Sequence, residues 1–261
     1  MKKIPPIDTK TFELAQFHFR DEKVVQDFIS KIPLKSTHTV VEIGPGQGMI
    51  TKNLAPIFKE VLAIEIDESN KKILSDLCHK YSNINLIWHD FLTYSLPIKP
   101  YQVIANIPFN ITRKILQKIV TADVLPEVLC LVIQKEVSDK ICRPENEHTL
   151  LSAYIQNFYQ CKIIKTFQRN DYQPPAHVDT VGLLLELKAN QPSIDKIEFF
   201  NFISIAFDSP GQPLKNRLKK HFTFNQLKRI SSNLKINLAS PPFTLSTDNW
   251  KLLFETYQEL Q

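Results

Sequence analysis

Short apolar runs alternate with segments of helical spacing through the first two thirds of the chain. The pattern predicts strands at 39–43, 61–67, 84–88, 102–105, 128–133, 161–167 and 182–187, and helices at 49–58, 68–81 and 113–120. Strands that alternate with helices are typical of βαβ units around a parallel sheet. We therefore expect an α/β domain over residues 1–188.

The pattern changes after Lys188. Residues 189–193 have the composition of a linker, and beyond them the periodicity predicts four helices, at 199–207, 214–221, 224–234 and 250–260, without a convincing strand. The sequence therefore predicts a small helical domain over residues 189–261.

Composition excludes several classes of protein. The chain of 261 residues is 43% hydrophobic and 23% charged, as expected for a globular protein. No apolar run approaches the roughly 18 residues of a membrane span. The four cysteines match no zinc-ligand or disulfide pattern. We expect a cytoplasmic monomer without a metal ion, and the net charge of +5 is a weak indication of a polyanionic partner.

Glycine is scarce, and its distribution points to a ligand. Of only 5 glycines, Gly44, Gly46 and Gly48 follow Glu42 at the end of the first predicted strand. Such a turn lets a ligand lie against main-chain amides. Glu65 ends the next strand, at the distance where an acidic residue binds ribose hydroxyls. Because the spacing is G-x-G-x-G and no Walker lysine follows, it favours S-adenosylmethionine over a dinucleotide or a nucleoside triphosphate.

Asp90 follows the third predicted strand, at the sheet edge where ligands bind. Its carboxylate can accept a hydrogen bond from an adenine amino group. Together with Glu65 and the neighbouring Ile66 and Phe91, it predicts an adenosine site. The alternative is a glycine turn and solvated strand-end carboxylates without a cofactor.

The sequence Asn106-Ile107-Pro108-Phe109 follows the fourth predicted strand and points to methylation of an exocyclic amine. The lone pair of such an amine is delocalised into its ring, so the enzyme must accept hydrogen bonds from the NH2 group. The Asn106 side-chain oxygen and the Ile107 carbonyl supply two acceptors, and Pro108 fixes the turn. Phe109 is expected to stack on a target base that has left its helix. The alternative is an ordinary strand-ending turn.

With these motifs, the chain resembles the ribosomal RNA adenine N6-dimethyltransferases, the family of the Erm and KsgA enzymes, over nearly its whole length. The resemblance implies a Rossmann-like sheet that binds S-adenosylmethionine and releases S-adenosylhomocysteine. The segment Gln16-Phe17-His18-Phe19 is similar to the family's Gln-x-x-Phe, which implies cofactor contacts for Gln16, His18 and Phe19. Residues 172–179 resemble the segment that places an aromatic on the other face of the base. This implies that role for Tyr172, where phenylalanine is usual.

Three segments favour the Erm branch: Asn106-Ile107-Pro108, Arg169-Asn170-Asp171-Tyr172 and residues 245–254. This branch implies 23S RNA as the target and resistance to macrolides, lincosamides and streptogramin B. The KsgA alternative is 16S RNA, methylated during maturation of the small subunit. Two other classes stay open. Intact Asn106 and Phe109 argue against an RNA-binding or transcription factor without turnover, and the glycine spacing argues against a nicotinamide dehydrogenase.

Basic residues mark candidate contacts with RNA phosphates. The candidates are Arg113 and Lys114, just past the predicted catalytic turn, and Lys215, Arg217, Lys219 and Lys220 on a predicted helix of the second domain. The alternative interpretation of the second group is a solvated helix face.

Overall fold

The computed structural model describes residues 17–145 and 147–260. Gln16, which the sequence implies as a cofactor contact, lies outside the described residues. The chain divides into two compact units. Within the described residues, the first contains 17–118, Pro126–Lys135 and Ile163–Leu184, and the second contains Ile119–Leu125, Glu136–Lys162 and 185–260.

The described residues form nine strands. They are β1 (His18–Phe19), β2 (Thr39–Ile43), β3 (Glu60–Glu65), β4 (Ile84–Trp88), β5 (Tyr101–Asn106), β6 (Val128–Gln134), β7 (Tyr159–Phe167), β8 (Tyr172–Gln173) and β9 (Thr180–Leu187). Seven of them form one sheet in the order β4-β3-β2-β5-β6-β9-β7, and β1 pairs with β8 separately. The seven strands of this sheet correspond to the seven predicted ones.

Parallel pairing arranges the site-bearing part of the sheet. β3 pairs with β2, β2 with β5 and β5 with β6, all in parallel, with Ile43 opposite Ile64 and Asn106 opposite Val132. Their apolar residues are buried almost without interruption, as in sheets covered on both faces. The strand order reverses between β2 and β5, which makes their carboxyl ends a topological switch point.

The described residues also form ten α-helices. They are α1 (Glu22–Ser30), α2 (Thr51–Leu54), α3 (Lys71–Lys80), α4 (Thr112–Val120), α5 (Lys135–Ile141), α6 (Leu150–Phe158), α7 (Lys196–Phe207), α8 (Leu214–Leu218), α9 (Phe224–Asn233) and α10 (Thr247–Glu259). The helix predicted at 49–58 is reduced to the single turn of α2. Three further helices, α1, α5 and α6, are absent from the elements that the sequence pattern predicts. The sequence does carry a helix signal for α1. Asp21 is a typical N-cap residue, whose side chain accepts from Lys23 N, and the buried Val25, Phe28 and Ile29 have helical spacing.

The boundary predicted after residue 188 is not where the compact units divide. The second unit includes α6 because this helix packs against α7 and α10. The Tyr154 hydroxyl on α6 lies within hydrogen-bond distance of the carbonyls of Val120 and Lys196, which share its one hydrogen, and its ring lies 5.6 Å from that of Phe199. The division of function between residues 1–188 and 189–261 stays a prediction.

Candidate active site

A cleft opens where β2, β3, β4 and β5 end. The space between its atoms, open solvent at the mouth included, is about 990 Å³. The predicted residues that line it are His18, Phe19, Glu42, Gly44, Gly46, Glu65, Ile66, Asp90, Phe91, Asn106, Ile107, Pro108 and Phe109. The strand ends therefore bring the predicted cofactor residues and the predicted catalytic turn into one cleft.

The glycine turn after β2 is held by a carboxylate from β3. Gly46 has a φ of 54°, in the left-handed region that favours glycine, and its N–H donates to Glu65 Oε2 at 2.9 Å. The other Glu65 oxygen accepts from the N–H groups of Ile66 and Asp67, both at 2.8 Å. A Cβ on Gly46 would lie 2.9 Å from His18 Cε1. The turn is thus shaped by Glu65 on one side and covered by His18 on the other.

Gly48 has a different role from the one predicted. A Cβ at this position would lie 2.2 Å from Leu77 Cδ1 on α3, and its φ is 73°. A side chain at this position would be strained by the positive φ and would have to displace the Leu77 side chain, and Gly48 is not among the residues that line the cleft. Its assignment as a cofactor contact therefore does not fit the structure.

Glu42 lies at the base of the cleft and is 2% exposed. Burial raises the pKa of its carboxyl from 4.5 to about 8, and the nearby Glu65 carboxylate contributes in the same direction. Burial also raises the pKa of Glu65, although the backbone hydrogen bonds that its carboxylate accepts act to lower it. At neutral pH the Glu42 carboxyl is therefore mainly protonated.

The polar groups of the cleft fit S-adenosylmethionine. This molecule carries cationic sulfonium and ammonium groups as well as hydroxyl and amino donors, so its site needs acceptor oxygens between apolar walls. Glu42 Oε2 is buried without a partner. Glu65 Oε2 accepts one hydrogen bond and keeps a free lone pair. Ile66 is 46% exposed and offers apolar surface next to Glu65.

The side chain of Asn106 has a fixed orientation. Its Nδ2 donates to the Phe17 carbonyl at 2.7 Å, so its Oδ1 is the atom left to accept from a ligand. Ile107 is buried, and Pro108 leads into a short 3-10 turn at Phe109–Ile111 that continues as α4. The structure thus presents an acceptor oxygen and the half-buried ring of Phe109 at the same turn, as the sequence predicts.

Tyr172 does not fit the base-stacking role implied for it. The residue is 1% exposed. Its ring stacks on Phe19 with centroids 5.0 Å apart, and its hydroxyl shares a 2.7 Å hydrogen bond with Thr180 Oγ1. Phe19 and Tyr172 are also register partners in the pairing of β1 with β8. With its ring and hydroxyl both engaged, Tyr172 is a core residue that supports β1.

Phe17, to which the sequence analysis gave no role, lies beside the catalytic turn. Its ring centroid is 5.7 Å from that of Phe109, with 31° between the ring planes. The exposed His177 also contacts the Phe17 ring edge-on, with 5.9 Å between centroids. Both Phe17 and Phe109 line the cleft and are half-buried. Phe17 is therefore an aromatic neighbour of Phe109 within the cleft, whereas Tyr172 is not among the residues that line it. In the sequence, the only indication of this position was that residue 17 is aromatic and lies within the Gln16–Phe19 segment.

The predicted RNA contacts differ in exposure. Arg113 and Lys114 are exposed on α4, and Lys215, Lys219 and Lys220 are exposed at and just after α8. Arg217 is an exception, because its side chain is only 20% exposed and pairs with Asp208 at 3.6 Å. Its position on the buried side of α8 does not fit the predicted phosphate contact.

Neither a membrane span nor a metal site is found in the described part of the chain. None of its helices combines the length and apolar composition needed to cross a membrane. Its His, Cys, Asp and Glu side chains form no cluster suited to a metal ion.

Comparison with known proteins places this geometry in context. A family model described as "Ribosomal RNA adenine dimethylase" matches residues 7–259. "Ribosomal RNA small subunit methyltransferase A" of Nostoc punctiforme is 29% identical over 231 residues, which cover 82% of this chain and 81% of that protein. The protein of the same name from Mycoplasma mobile is 30% identical over 244 residues, which cover 92% of this chain and 95% of that protein.

Two solved structures share the fold over most of its length. A dimethyladenosine transferase from Plasmodium falciparum has a TM-score of 0.81 at 21% identity, covering 92% of this chain and 98% of that chain. The 23S rRNA methyltransferase ErmE has a TM-score of 0.73 at 22% identity, covering 92% of this chain and 99% of that chain. These likenesses confirm the predicted Rossmann-like methyltransferase fold.

The burial of Glu42 predicts a pH-dependent stability. In the unfolded chain the carboxyl loses its proton near pH 4.5, whereas in the folded chain it keeps it to about pH 8. Raising the pH through this window therefore favours unfolding, by at most about 1.4 kcal/mol per pH unit. We expect Glu42→Gln to remove this contribution, so that the variant loses less stability than the wild type between pH 6 and pH 8.

Urea unfolding at several pH values measures the effect. Glu68→Gln is the matched control, because Glu68 is exposed, and it should leave the wild-type pH dependence unchanged. Equal pH dependence in the wild type and Glu42→Gln would contradict the protonated state of Glu42.

Proposed function

The chain belongs to the ribosomal RNA adenine dimethylase family, and on this premise we propose that it methylates N6 of an adenine in the 16S RNA of the small ribosomal subunit. The match over residues 7–259 confirms the resemblance found in the sequence. The observation that carries the proposal is the single cleft that joins an adenosine-type site to Asn106 and Phe109. A ribosomal RNA substrate also supports the predicted cytoplasmic location.

S-adenosylmethionine, predicted from the sequence, is the cofactor of this family. It supplies an electrophilic methyl group carried on a sulfonium sulfur. Glu65 can accept from ribose hydroxyls while it holds Gly46 N. Asp90 uses Oδ1 to accept from Leu92 N at 2.8 Å. Its second oxygen is then available to an adenine amino group.

Asn106 directs the nucleophile. Because Nδ2 is engaged with the Phe17 carbonyl, Oδ1 accepts from the N6 amino group of the target adenine. The Ile107 carbonyl is the proposed second acceptor. Two accepted hydrogen bonds favour a tetrahedral nitrogen, whose lone pair is then available for attack. Proximity and orientation supply most of the rate enhancement, and the proton leaves to water after the methyl group has been transferred.

Phe109 and Phe17 form the aromatic part of the base site. A base taken out of its helix loses stacking with its neighbours, and stacking on an aromatic side chain replaces part of that energy. With 5.7 Å between their centroids, the two rings leave no room for a base between them. The base therefore stacks on Phe109 after the Phe17 ring has turned aside, while the Phe17 backbone stays bonded to Asn106.

The small-subunit target is supported by the relatives. The proteins from Nostoc punctiforme and Mycoplasma mobile are both named for the small ribosomal subunit, and the second covers 92% of this chain. The likeness to ErmE, at 22% identity, extends to the fold alone. The relatives therefore favour the 16S alternative over the 23S target that the sequence motifs suggested, and antibiotic resistance has no support beyond those motifs.

Two of the three segments that favoured 23S RNA, Arg169–Tyr172 and residues 245–254, have structural roles in this chain. In the 3-10 turn Arg169–Asp171, Asp171 Oδ2 accepts from Gln168 N and Arg169 pairs with Asp179. On α10, Trp250 and Phe254 are fully buried in the core of the second unit. Contacts of this kind serve folding whichever RNA is bound, so these residues do not discriminate between the two targets.

Methylation assays with protein-free 16S RNA, 30S subunits and protein-free 23S RNA test the target. We expect methyl transfer from labelled S-adenosylmethionine to a small-subunit substrate and none to 23S RNA, with the modified adenine mapped by primer extension. Transfer to 23S RNA alone would instead support the Erm-type function. Transfer to none of them would contradict the proposed activity.

Asn106→Ala tests the catalytic role. Loss of a hydrogen-bonding group directed at the reacting atom costs roughly 10²–10³-fold in rate, so we expect a decrease in kcat of this size. The dissociation constant of S-adenosylmethionine, measured by calorimetry, should change little. Asn110→Ala, at an exposed asparagine four residues away, is the control and should retain activity. Undiminished turnover in Asn106→Ala would exclude the assigned role.

The exposed lysines of the second unit are proposed to contact RNA phosphates. Replacing Lys215, Lys219 and Lys220 by Gln should reduce the slope of log affinity against log salt by about 2 to 3, because each lost phosphate contact removes roughly 0.7–0.9. The control replaces three exposed lysines of the α3 helix, Lys71, Lys72 and Lys80. An unchanged slope in the first variant would identify its lysines as a solvated face.

A further inference from the structure

Lys118 is a half-buried lysine of α4 whose ammonium group faces backbone carbonyls. Its Nζ donates to the Tyr94 carbonyl at 2.6 Å and to the Leu92 carbonyl at 3.1 Å. The same nitrogen lies 5.6 Å from the centroid of the Phe91 ring, within the range of a cation–π interaction. Three contacts with one loop distinguish Lys118 from a solvated surface lysine.

The loop that Lys118 contacts is the adenosine-side wall of the cleft. It follows β4 and turns tightly, with the N–H groups of Thr93 and Tyr94 donating to the Asp90 carbonyl at 3.0 and 3.1 Å. Asp90 and Phe91 line the cleft. The Leu92 and Tyr94 carbonyls point to Lys118, so the ammonium group ties down the part of the loop that comes directly after the ligand-facing residues.

The helix that carries Lys118 begins at the catalytic turn. α4 starts at Thr112, directly after the 3-10 turn that contains Phe109. Six residues of helix place Lys118 about 9 Å further along the axis. Ile115, three residues before Lys118 and therefore on the same side of the helix, also lines the cleft. One rigid element thus connects the turn that holds the target base with the loop that holds the adenosine.

We propose that Lys118 is a positioning residue for methyl transfer: by bonding the Asp90–Tyr94 loop to α4, it sets the place of the donor's adenosine relative to Asn106. The proposal deepens the proposed function and rests on it. Lys118 does not line the cleft itself, so its effect passes through Asp90 and Phe91. The charge of Asp90 also attracts the ammonium group, although burial lowers the pKa of Lys118.

The test compares Lys118→Met, which keeps an apolar stem without a donor, with Lys118→Arg, which keeps the charge and the donors. We expect the Met variant to bind S-adenosylmethionine about 10-fold more weakly, while the Arg variant retains most of the affinity. The affinity for S-adenosylhomocysteine should decrease by the same factor, because this molecule has the same adenosine part. The KM for RNA should not change. Lys72→Met, at an exposed lysine of α3, is the control.

Calorimetry without RNA measures both affinities, and thermal unfolding shows whether each variant is folded. If the Met variant does not fold, Lys118→Gln replaces it, with affinity expected to decrease from wild type to Arg to Gln. Wild-type affinity and kcat in the Met or Gln variant would overturn the proposal. Cofactor binding is measured without RNA, so its result tests the role of Lys118 and does not depend on the RNA target. A wrong RNA target would be detected by the methylation assays with the wild-type protein.

Discussion

The parallel pairing of β2 with both β3 and β5 is the constraint on which the site depends. It aligns Ile43 with Ile64 and starts β5 beside β2, so that consecutive strands end at one edge of the sheet. Residues distant in sequence, such as Glu65 and Asn106, then line the same cleft. Among the described residues, three of the four with a left-handed φ, Gly44, Gly46 and Gly48, lie directly after β2, where the polypeptide leaves the strand beside the cleft.

The second level of organisation lies in how polar side chains are held. Glu65 accepts three backbone N–H groups and so fixes the glycine turn. Asn106 is fixed by the Phe17 carbonyl and Asp90 by its own turn. In each case some hydrogen-bonding capacity is used within the protein, and the remainder is directed at the cleft. Preorganisation of this kind reduces the rearrangement needed when a ligand binds.

The fold and the composition of the cleft could largely be predicted from the sequence, because strand ends and glycine turns are local features. The corrections concern residues whose role depends on packing. Gly48 lies against the Leu77 side chain, the Tyr172 ring stacks on Phe19, and no local pattern reveals either contact. Arg217 belongs to a basic run, yet its position on α8 turns it towards Asp208. Local sequence patterns also could not predict the contacts of Lys118, because its partners Leu92 and Tyr94 lie 26 and 24 residues earlier in the chain.

The electrostatics of the cleft link its architecture to its ligand. Glu42 and Glu65 are both buried acids, and burial raises the pKa of each. An approaching cation favours their ionised forms, because its charge replaces the stabilisation that water would provide. S-adenosylmethionine carries a sulfonium charge that S-adenosylhomocysteine lacks. We therefore expect the binding of a cationic ligand in this cleft to be linked to the ionisation of its buried acids.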